Sequence, residues 1–199
     1  GESYVRIETP VPGRRVALVC SLHHPDEKIL QVLFSAETAR ELGAEDVGLV
    51  SPYLPYLRQD KRFKPGEAVT SVTFARSVSQ CMDWLVTVDP HLHRYPSLDA
   101  VYRIPSRVLQ AAPLIAAWIR ANVRDPVLIG PDAESAQWVS AVAALASAPW
   151  MALEKVRTGD REVEVSAPDI HRWKGHTPVL VDDIISTART QMAAVTWLR

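Results

Sequence analysis

Two adjacent carboxylates near the end of the chain are followed by a run of hydroxyl-bearing residues, a combination suited to binding a sugar phosphate. Asp182 and Asp183 come directly after the apolar residues 179–181, which predict a buried strand. Residues 186–190 then lead into a helical pattern, and the free backbone N–H groups at a helix N-terminus attract phosphate. Because carboxylates repel phosphate, we expect the acid pair to bind the vicinal hydroxyls of a ribose. Alternatively, Asp183 only caps a turn and Thr187 only caps the helix.

A second polar segment, residues 51–67, follows a strand predicted at residues 47–50 and has the composition of a nucleotide-binding loop. Its prolines and tyrosines argue against a regular helix, and cations cluster between Arg58 and Arg62, with Gln59 among them. Ligands of α/β proteins bind at the carboxyl ends of strands, so an aromatic and cationic loop in this position suits a nucleoside triphosphate. A solvated surface loop explains the charges equally, although such loops rarely bring tyrosines and a glutamine along.

Two further strand ends carry candidate metal ligands. His91 and His93 follow the strand predicted at residues 84–88, and alternate residues of an extended segment point to the same side. The local pattern fits either metal binding by His91 or a hydrogen-bonded loop histidine, because no third ligand is in sight. Asp132 follows the strand predicted at residues 127–129 and places a carboxylate at another strand end.

Lys155 and Arg157 stand at the root of a polar segment, residues 158–169, that has few residues able to pack. They come at the end of a strand predicted at residues 150–155. Two cations in this position favour a lid that closes over a phosphate site. An exposed β-ribbon is the alternative interpretation.

The composition is that of a globular protein with balanced charge. The 199 residues include 22 basic and 23 acidic ones, for a net charge of −1, which argues against bulk attraction to nucleic acid or to a membrane surface. No apolar run reaches the roughly 18 residues that span a bilayer, and the first residues lack a signal-peptide pattern. The distant Cys20 and Cys81 form neither a disulfide framework nor a zinc spacing. We therefore expect core cysteines in a cytoplasmic protein.

The elements that must position these residues alternate between strands and helices, which predicts an α/β fold with mainly parallel sheets. The alternating residues 1–8 predict a half-buried strand at the start. Residues 101–109 show no period, so we place a domain junction near residue 106. We expect Leu42 and Val72 to lie on the buried faces of the first two helices. Helical patterns cover residues 28–42, 70–82, 114–123, 134–147 and a final segment ending at Leu198.

Together these motifs resemble those of the ribose-phosphate diphosphokinases, also called phosphoribosyl pyrophosphate synthetases. The resemblance spans essentially the whole chain, and the motifs occur in the family's order. The motif around the acid pair alone would indicate only a phosphoribosyl-binding loop, which phosphoribosyltransferases share. The motifs are Pro52-Tyr-Leu-Pro-Tyr-Leu-Arg-Gln-Asp60 with Lys64-Pro-Gly-Glu67, Val88-Asp-Pro-His91, Gly130-Pro-Asp132, Glu154-Lys-Val-Arg157 and Val181-Asp-Asp-Ile-Ile-Ser-Thr-Ala-Arg-Thr190.

The resemblance implies two tandem phosphoribosyltransferase-like α/β domains with mainly parallel sheets flanked by helices. Residues 1–105 would form the ATP side and residues 106–199 the ribose 5-phosphate side. Family members usually assemble into hexamers, so we expect self-association into a dimer or hexamer. Because the chain is short for the family, we also expect it to lack an N-terminal strand region and its second domain to be truncated.

The implied reaction, part of nucleotide biosynthesis, transfers the β,γ-diphosphoryl group of ATP to the 1-hydroxyl of ribose 5-phosphate, with Mg²⁺ as cofactor. The products are 5-phosphoribosyl 1-diphosphate and AMP. The resemblance also assigns each candidate residue a role in this transferase. It implies ATP binding by Glu2, Arg58, Gln59 and Asp60, Mg²⁺ binding by His91 and Asp132, catalysis by Lys155 and Arg157, and ribose 5-phosphate binding by Asp182, Asp183, Ser186, Thr187, Ala188, Arg189 and Thr190.

Two departures from the family pattern bear on these roles. Ala188 and Arg189 stand where the family usually has glycine, and a positive φ at Ala188 would be strained. Glu134 and Ser135 also replace glycines, and a carboxylate there would repel a phosphate if it faced the site. Two alternatives therefore remain, a non-catalytic regulatory homologue and a phosphoribosyltransferase. A transferase fits the length, but it needs further strands after the acid pair and has no use for the Arg58 loop.

Overall fold

The computed structural model describes residues 2–157, 163–166 and 170–198, and the chain divides into two compact units, Gly1–Leu109 and Gln110–Arg199. Each unit contains a parallel sheet with helices packed on it, so the predicted α/β class is confirmed. None of the described helices is long and apolar enough to cross a membrane.

Within the described residues, the first unit is built on a four-stranded parallel sheet whose strands lie side by side in chain order. Helix α1 (Ile29–Glu41) connects the first strand to the second, and α2 (Thr70–Cys81) connects the second to the third. Because the strands are parallel, the loops after the first three all start from the same edge of the sheet. The strands are β1 (Arg15–Val19), β2 (Asp46–Ser51), β3 (Trp84–Val88) and β4 (Ser106–Leu109).

Helix α1 follows directly from the spacing of its apolar residues. Val32, Ala36 and Ala39 recur at helical spacing and are buried in the core of the first unit. Gly43 follows the helix with a φ of 89°, a left-handed conformation that glycine adopts without strain. Glycine in this position ends the helix and turns the chain towards β2.

Gly48 in β2 leaves room for the indole ring of Trp84, its register partner in β3. A Cβ atom at position 48 would lie 1.9 Å from that ring. The ring is held in place, because its Nε1–H donates a hydrogen bond of 3.0 Å to Oδ1 of Asp46. The pairing of β2 with β3 therefore requires glycine at this position.

We expect Gly48→Ala to lower the free energy of unfolding by about 1 to 3 kcal/mol, the usual cost of overpacking a core. Urea denaturation of the full chain measures the change. In the double variant Gly48→Ala/Trp84→Leu the ring is gone, so the loss should be clearly smaller than the sum of the two single losses. Additive losses would show that the contact does not constrain the sheet.

The second unit has its own parallel sheet, covered on both faces. In chain order its elements are α3 (Ala112–Asn122), β5 (Pro126–Gly130), α4 (Ala136–Ala146), β6 (Trp150–Ala152), β7 (Glu154–Arg157), β8 (Val163–Ser166), β9 (Thr177–Leu180) and α5 (Arg189–Leu198). Strand β5 lies between β6 and β9, and β7 pairs antiparallel with β8. Leu128 packs with Val139 of α4, whereas Val127 and Ile129 pack with Ala194 of α5. The segments after β5 and β9 begin at the same sheet edge.

The start of the chain and the expected domain junction differ from the sequence-based expectations. Residues 2–8, all of them described, form no strand. Val5 and Ile7 are half-buried while Tyr4 is 84% exposed. The alternation of apolar and polar residues therefore arises because one side of an irregular segment packs against the protein. Residues 106–109 form β4, which pairs with β3 in the first unit. A strand of this length is too short to show a period in the sequence.

Smaller differences concern single side chains. Val72 is 40% and Leu42 is 47% exposed, although both were expected on buried helix faces. Leu42 lies just past the end of α1, and Val72 lies beside the buried stripe of α2, which consists of Ser71, Phe74, Ala75 and Val78. The strand expected at residues 150–155 is interrupted at the buried Leu153. Cys20 and Cys81 are half-buried and pack against the core of the first unit.

Candidate active site

The loop after β2 carries the residues predicted to contact a nucleotide, and it is tied to the start of α2. Arg58 and Gln59 are both exposed. The backbone carbonyl of Gln59 accepts hydrogen bonds from the N–H of Ser71 at 3.4 Å and from its hydroxyl at 3.0 Å. The side-chain carbonyl of Gln59 accepts another from the hydroxyl of Thr70. These bonds fix the backbone next to Arg58 while its guanidinium stays accessible.

Asp60 is held differently from its two exposed neighbours. Its side chain is 1% exposed, and Nη1 of Arg94 donates to both carboxylate oxygens, at 2.8 and 3.0 Å. The hydroxyl of Tyr95 lies 2.9 Å from the hydroxyl of Ser71 and 3.5 Å from the Asp60 carbonyl, at the limit of a hydrogen bond. The carboxylate of Asp60 therefore binds a residue of the loop after β3 and not solvent.

A pocket of about 320 Å³ opens beside this loop, lined by Gln59, Lys61, Phe63, Glu67 and Ala68. Glu67 closes the loop on itself, because its Oε2 accepts the N–H groups of Phe63 at 3.0 Å and of Lys64 at 2.9 Å. The lining combines an aromatic ring, a cation, an amide and the Glu67 carboxylate, which is bonded to backbone N–H groups. Such a lining suits a planar, negatively charged ligand.

Tyr56 joins the loop after β1 to the loop after β2. Its hydroxyl donates a hydrogen bond to Oδ1 of Asp26, and its ring packs against Phe74 with the ring centres 5.0 Å apart. Burial, followed by the hydrogen bond and charge of Asp26, raises the pKa of Tyr56 to about 12. The hydroxyl therefore stays protonated at neutral pH and serves as a permanent donor to Asp26.

His91, the histidine predicted to bind metal, lies close to His93 in the loop after β3. The ring centres of His91 and His93 are 6.2 Å apart at an interplanar angle of 32°; His91 is half-buried and His93 exposed. Glu2 is exposed in the irregular segment before β1. Among the described residues, no group of three or more His, Cys, Asp or Glu side chains is arranged to enclose a metal ion. Mg²⁺ needs no such enclosure, because it keeps several waters and binds through one or two protein ligands.

Asp132 follows β5 and caps the short helical turn Ala133–Ser135. Its Oδ1 accepts the N–H of Ser135 at 3.2 Å, and the hydroxyl of Ser135 donates to the Asp132 carbonyl at 2.5 Å. Gly130 makes room for this serine, because a Cβ atom there would lie 2.3 Å from the Ser135 hydroxyl. Ser135, a departure from the family pattern, thus orients Asp132, while the side chain of Glu134 is exposed.

The acid pair follows β9, and its first member is oriented by two donors. Oδ1 of Asp182 accepts the N–H of Asp183 at 3.0 Å, and Oδ2 accepts Nε2 of Gln191 at 2.7 Å. Burial, followed by the charge of Asp183 and more weakly that of Asp132, raises the pKa of Asp182 to about 6, although the N–H of Asp183 opposes the rise. These carboxylates gather at the ends of neighbouring strands, where hydroxyl donors or a cation are favoured over an anion.

The loop between the acid pair and α5 ends in a strained residue. Ala188 has a φ of 57°, in the left-handed region that glycine prefers. Its carbonyl accepts the N–H of Met192 at 2.7 Å, which begins the hydrogen bonding of α5. Of the other loop residues, Ser186, Thr187 and Arg189 are exposed and Thr190 is half-buried.

We expect Ala188→Gly to raise the free energy of unfolding by roughly 1 kcal/mol, because glycine adopts a positive φ without the Cβ clash. Ala193→Gly is the matched control, since Ala193 is exposed in the interior of α5, where glycine costs about 1 kcal/mol. Urea denaturation should therefore shift the two variants in opposite directions. Two shifts of the same sign would show that Ala188 is not strained.

Lys155 and Arg157 belong to β7, whose pairing with β8 sets Lys155 opposite Val165. Strand β8 is the described part of the segment for which the sequence left a lid and an exposed β-ribbon open. Residues 158–162 and 167–169, which complete the segment predicted as a lid, lie outside the described residues.

The structure brings Asp132, Asp182 and Asp183 together in the second unit, while His91 belongs to the first. Sequence reasoning missed two residues, Gln191 and Arg94. A signal exists for Gln191, because a polar side chain at the third position of a helix typically reaches back to the preceding loop. A single arginine in an irregular loop gives no comparable signal.

Two family models match the chain. The N-terminal domain of ribose phosphate pyrophosphokinase matches residues 1–81, and the phosphoribosyl transferase domain matches residues 97–199. Together they cover both units of the structure and most of the loops that carry the candidate residues.

Curated relatives and a solved structure agree with these models. Ribose-phosphate pyrophosphokinases of Methanopyrus kandleri and Saccharolobus solfataricus are 36% and 34% identical; the matches cover 100% and 98% of this chain and 68% and 67% of those proteins. The crystal structure of phosphoribosylpyrophosphate synthetase from Mycobacterium smegmatis matches with a TM-score of 0.82 at 25% identity, over 98% of this chain and 64% of that one. The chain thus spans about two thirds of the length of these proteins. It belongs to the ribose-phosphate pyrophosphokinase family, the enzyme family that its motifs predict.

Proposed function

We propose that this chain transfers the diphosphoryl group of ATP to the 1-hydroxyl of ribose 5-phosphate, giving 5-phosphoribosyl 1-diphosphate and AMP for nucleotide biosynthesis. The observation that carries the proposal is the acid pair Asp182 and Asp183, set between β9 and the start of α5, with Asp132 at the neighbouring strand end. Relatives that match this chain along its whole length are named for the activity.

Ribose 5-phosphate is proposed to bind the second unit. Asp182 and Asp183 accept hydrogen bonds from vicinal ribose hydroxyls, and Gln191 holds Asp182 in the orientation needed. The 5-phosphate lies against hydroxyls, the backbone N–H groups that open α5 and a cationic side chain, all of which complement its charge. The residues of this phosphate loop are Ser186, Thr187, Ala188, Arg189 and Thr190.

ATP is proposed to bind at the loop after β2. The exposed guanidinium of Arg58 neutralises phosphate charge, and Gln59 donates through its side-chain amide. Asp60 acts from the buried side of the same loop, through its ion pair with Arg94. The exposed Glu2 is proposed to complete the adenine pocket of a neighbouring subunit, as the family resemblance implies.

His91 and Asp132 are each proposed to bind Mg²⁺ or its water shell. The carboxylate of Asp132 is the hard oxygen ligand that Mg²⁺ prefers. The negative charge of Asp132 helps to raise the pKa of Asp182, so the two carboxylates repel each other. A cation bound beside Asp132 would relieve this repulsion. When bound, Mg²⁺ supplies neutralisation of the charge on the transferring phosphates.

In the proposed reaction, the 1-hydroxyl oxygen forms a bond to the β-phosphorus. The bond from that phosphorus to the oxygen bridging the α- and β-phosphates breaks, AMP leaves with the electron pair, and the hydroxyl proton is released. Lys155 and Arg157 are proposed to place positive charge beside the transferred group. The protein otherwise contributes mainly the alignment of the two substrates.

The division of labour between domains and the assembly are also proposals. The first unit, Gly1–Leu109, is assigned the ATP side and the second unit, Gln110–Arg199, the ribose 5-phosphate side. We propose a cytoplasmic protein that self-associates into a dimer or hexamer, as the family resemblance implies. The balance of 22 basic and 23 acidic residues supports the lack of a nucleic-acid or membrane partner.

Formation of AMP that depends on ribose 5-phosphate tests the proposal. The purified full chain is incubated with Mg²⁺ and ATP, with and without ribose 5-phosphate, and products are separated by chromatography. AMP and 5-phosphoribosyl 1-diphosphate should appear in equal amounts and only with both substrates. Release of diphosphate from 5-phosphoribosyl 1-diphosphate and a base would instead identify a phosphoribosyltransferase. A chain that does neither alone would be a regulatory homologue, and either result overturns the proposal.

A further inference from the structure

Arg94, in the loop after β3, contacts the loop after β2 at two places. Its Nη1 bridges both carboxylate oxygens of Asp60, and its guanidinium carbon lies 5.7 Å from the ring centre of Phe63. Nζ of Lys61 lies 5.1 Å from the same ring centre. A single arginine therefore constrains the chain at positions 60 and 63, close to the cations that follow Arg58.

The contact with Asp60 is a firm anchor, because a buried carboxylate is costly without a partner. The side chain of Asp60 is 1% exposed, whereas that of Arg94 is 37% exposed. Removing the arginine leaves an uncompensated charge in the interior, which costs far more than losing a surface ion pair. Asp60 would then turn towards solvent and displace the backbone that carries Arg58 and Gln59.

The same anchor joins loops with different proposed roles. Arg94 stands three residues after His91 in one loop and binds Asp60 in the other. Tyr95 reinforces the connection, because its hydroxyl lies 2.9 Å from that of Ser71, which in turn donates to the carbonyl of Gln59 at 3.0 Å. The loops after β2 and β3 are thus bonded to each other as well as to α2.

We propose that Arg94 is a positioning residue for the nucleotide. Through its ion pair with Asp60 it holds Arg58 and Gln59 in the orientation that binds the triphosphate. It also ties their loop to the loop that carries His91. The inference rests on the proposed function and adds to it a residue that touches neither substrate. Unfolding of the chain would weaken the binding of both substrates, whereas a positioning role in this loop weakens the binding of the nucleotide alone.

Calorimetric titration of the full chain with α,β-methylene ATP and Mg²⁺, and separately with ribose 5-phosphate, tests the inference. Arg94→Gln should weaken binding of the analogue and raise KM for ATP by about tenfold or more, the size of one hydrogen bond to a charged group. The affinity for ribose 5-phosphate should not change. Arg94→Lys keeps a cation without the planar fork and should recover part of the loss. Arg103→Gln removes an exposed arginine of the same unit and should bind both ligands like the wild type.

Asp60→Asn gives a second route to the same answer if Arg94→Gln folds poorly, because it removes the buried charge itself. Combined with Arg94→Gln, it should cost less than the sum of the two single losses. Unchanged affinity for the analogue, or equal weakening of both ligands in Arg94→Lys and Asp60→Asn, overturns the inference. A wild-type chain that binds no analogue overturns the proposed function instead, so the two failures are distinguishable.

Discussion

Lys155→Ala is expected to lower turnover by at least about 100-fold while the affinity for ribose 5-phosphate stays near that of the wild type. In phosphoryl transfer the protein contributes mainly alignment and positive charge, and losing one preorganised donor to developing charge commonly costs about 100-fold or more. Lys155 lies in β7, whereas the acid pair and the phosphate loop follow β9. The substitution therefore removes charge without altering any residue proposed to bind the sugar.

Steady-state formation of AMP at saturating substrates gives turnover, and calorimetry gives the affinity for ribose 5-phosphate. Lys155→Arg keeps the charge and should retain more activity than the alanine variant. Lys174→Ala removes an exposed lysine of the same unit and is the matched control, expected to leave turnover unchanged. Near wild-type turnover in Lys155→Ala would exclude the catalytic role. Loss of ribose 5-phosphate binding would show that the lysine maintains the structure of the site.

Helices and strands whose own residues show a hydrophobic pattern could be predicted from the sequence. Strands that form only because they pair with a neighbouring strand could not. Strand β3 has the predicted bounds, because its apolar residues are bracketed by Asp83 and Asp89. Strand β4 was missed, since its strand character comes from pairing with β3 and not from its own four residues. Residues 2–8 show the reverse case, in which a period is present but no described strand pairs with the segment.

The same distinction holds for the candidate site. The positions of Asp132 and Asp182 at strand ends follow from sequence, and the parallel pairing of β5 with β9 delivers both to one sheet edge. The ion pair of Asp60 with Arg94 does not follow, because it depends on the paths of irregular loops whose residues are 34 positions apart. A charged residue in a sequence motif can therefore act from the buried side of a loop, as Asp60 does.

Asp182→Asn is expected to raise stability at neutral pH while raising KM for ribose 5-phosphate by about tenfold or more, the size of one hydrogen bond to a charged group. Burial and neighbouring carboxylates raise the pKa of Asp182 to about 6, so the folded state binds its proton more tightly than the unfolded chain. The stability contributed by Asp182 therefore rises as the pH falls through 6 towards the ordinary value of 3.8. Asparagine is neutral throughout, so the variant should be the more stable protein above pH 6, and the difference should shrink as the pH is lowered.

Activity should fall for a separate reason, because the amide of asparagine is a weaker acceptor for ribose hydroxyls than a carboxylate. Its single carbonyl oxygen still accepts Nε2 of Gln191, while its amide nitrogen replaces the oxygen that accepts the N–H of Asp183, so the variant loses the negative charge together with one local hydrogen bond. Gln191→Leu makes the opposite change, removing the orienting donor while keeping the charge, and should raise KM for ribose 5-phosphate without stabilising the fold. Asp99→Asn, at an exposed position, is the control for both measurements. If Asp182→Asn instead lowered stability at neutral pH, the carboxylate would stabilise the fold of the second unit, and a structural role would account for Asp182 without substrate binding.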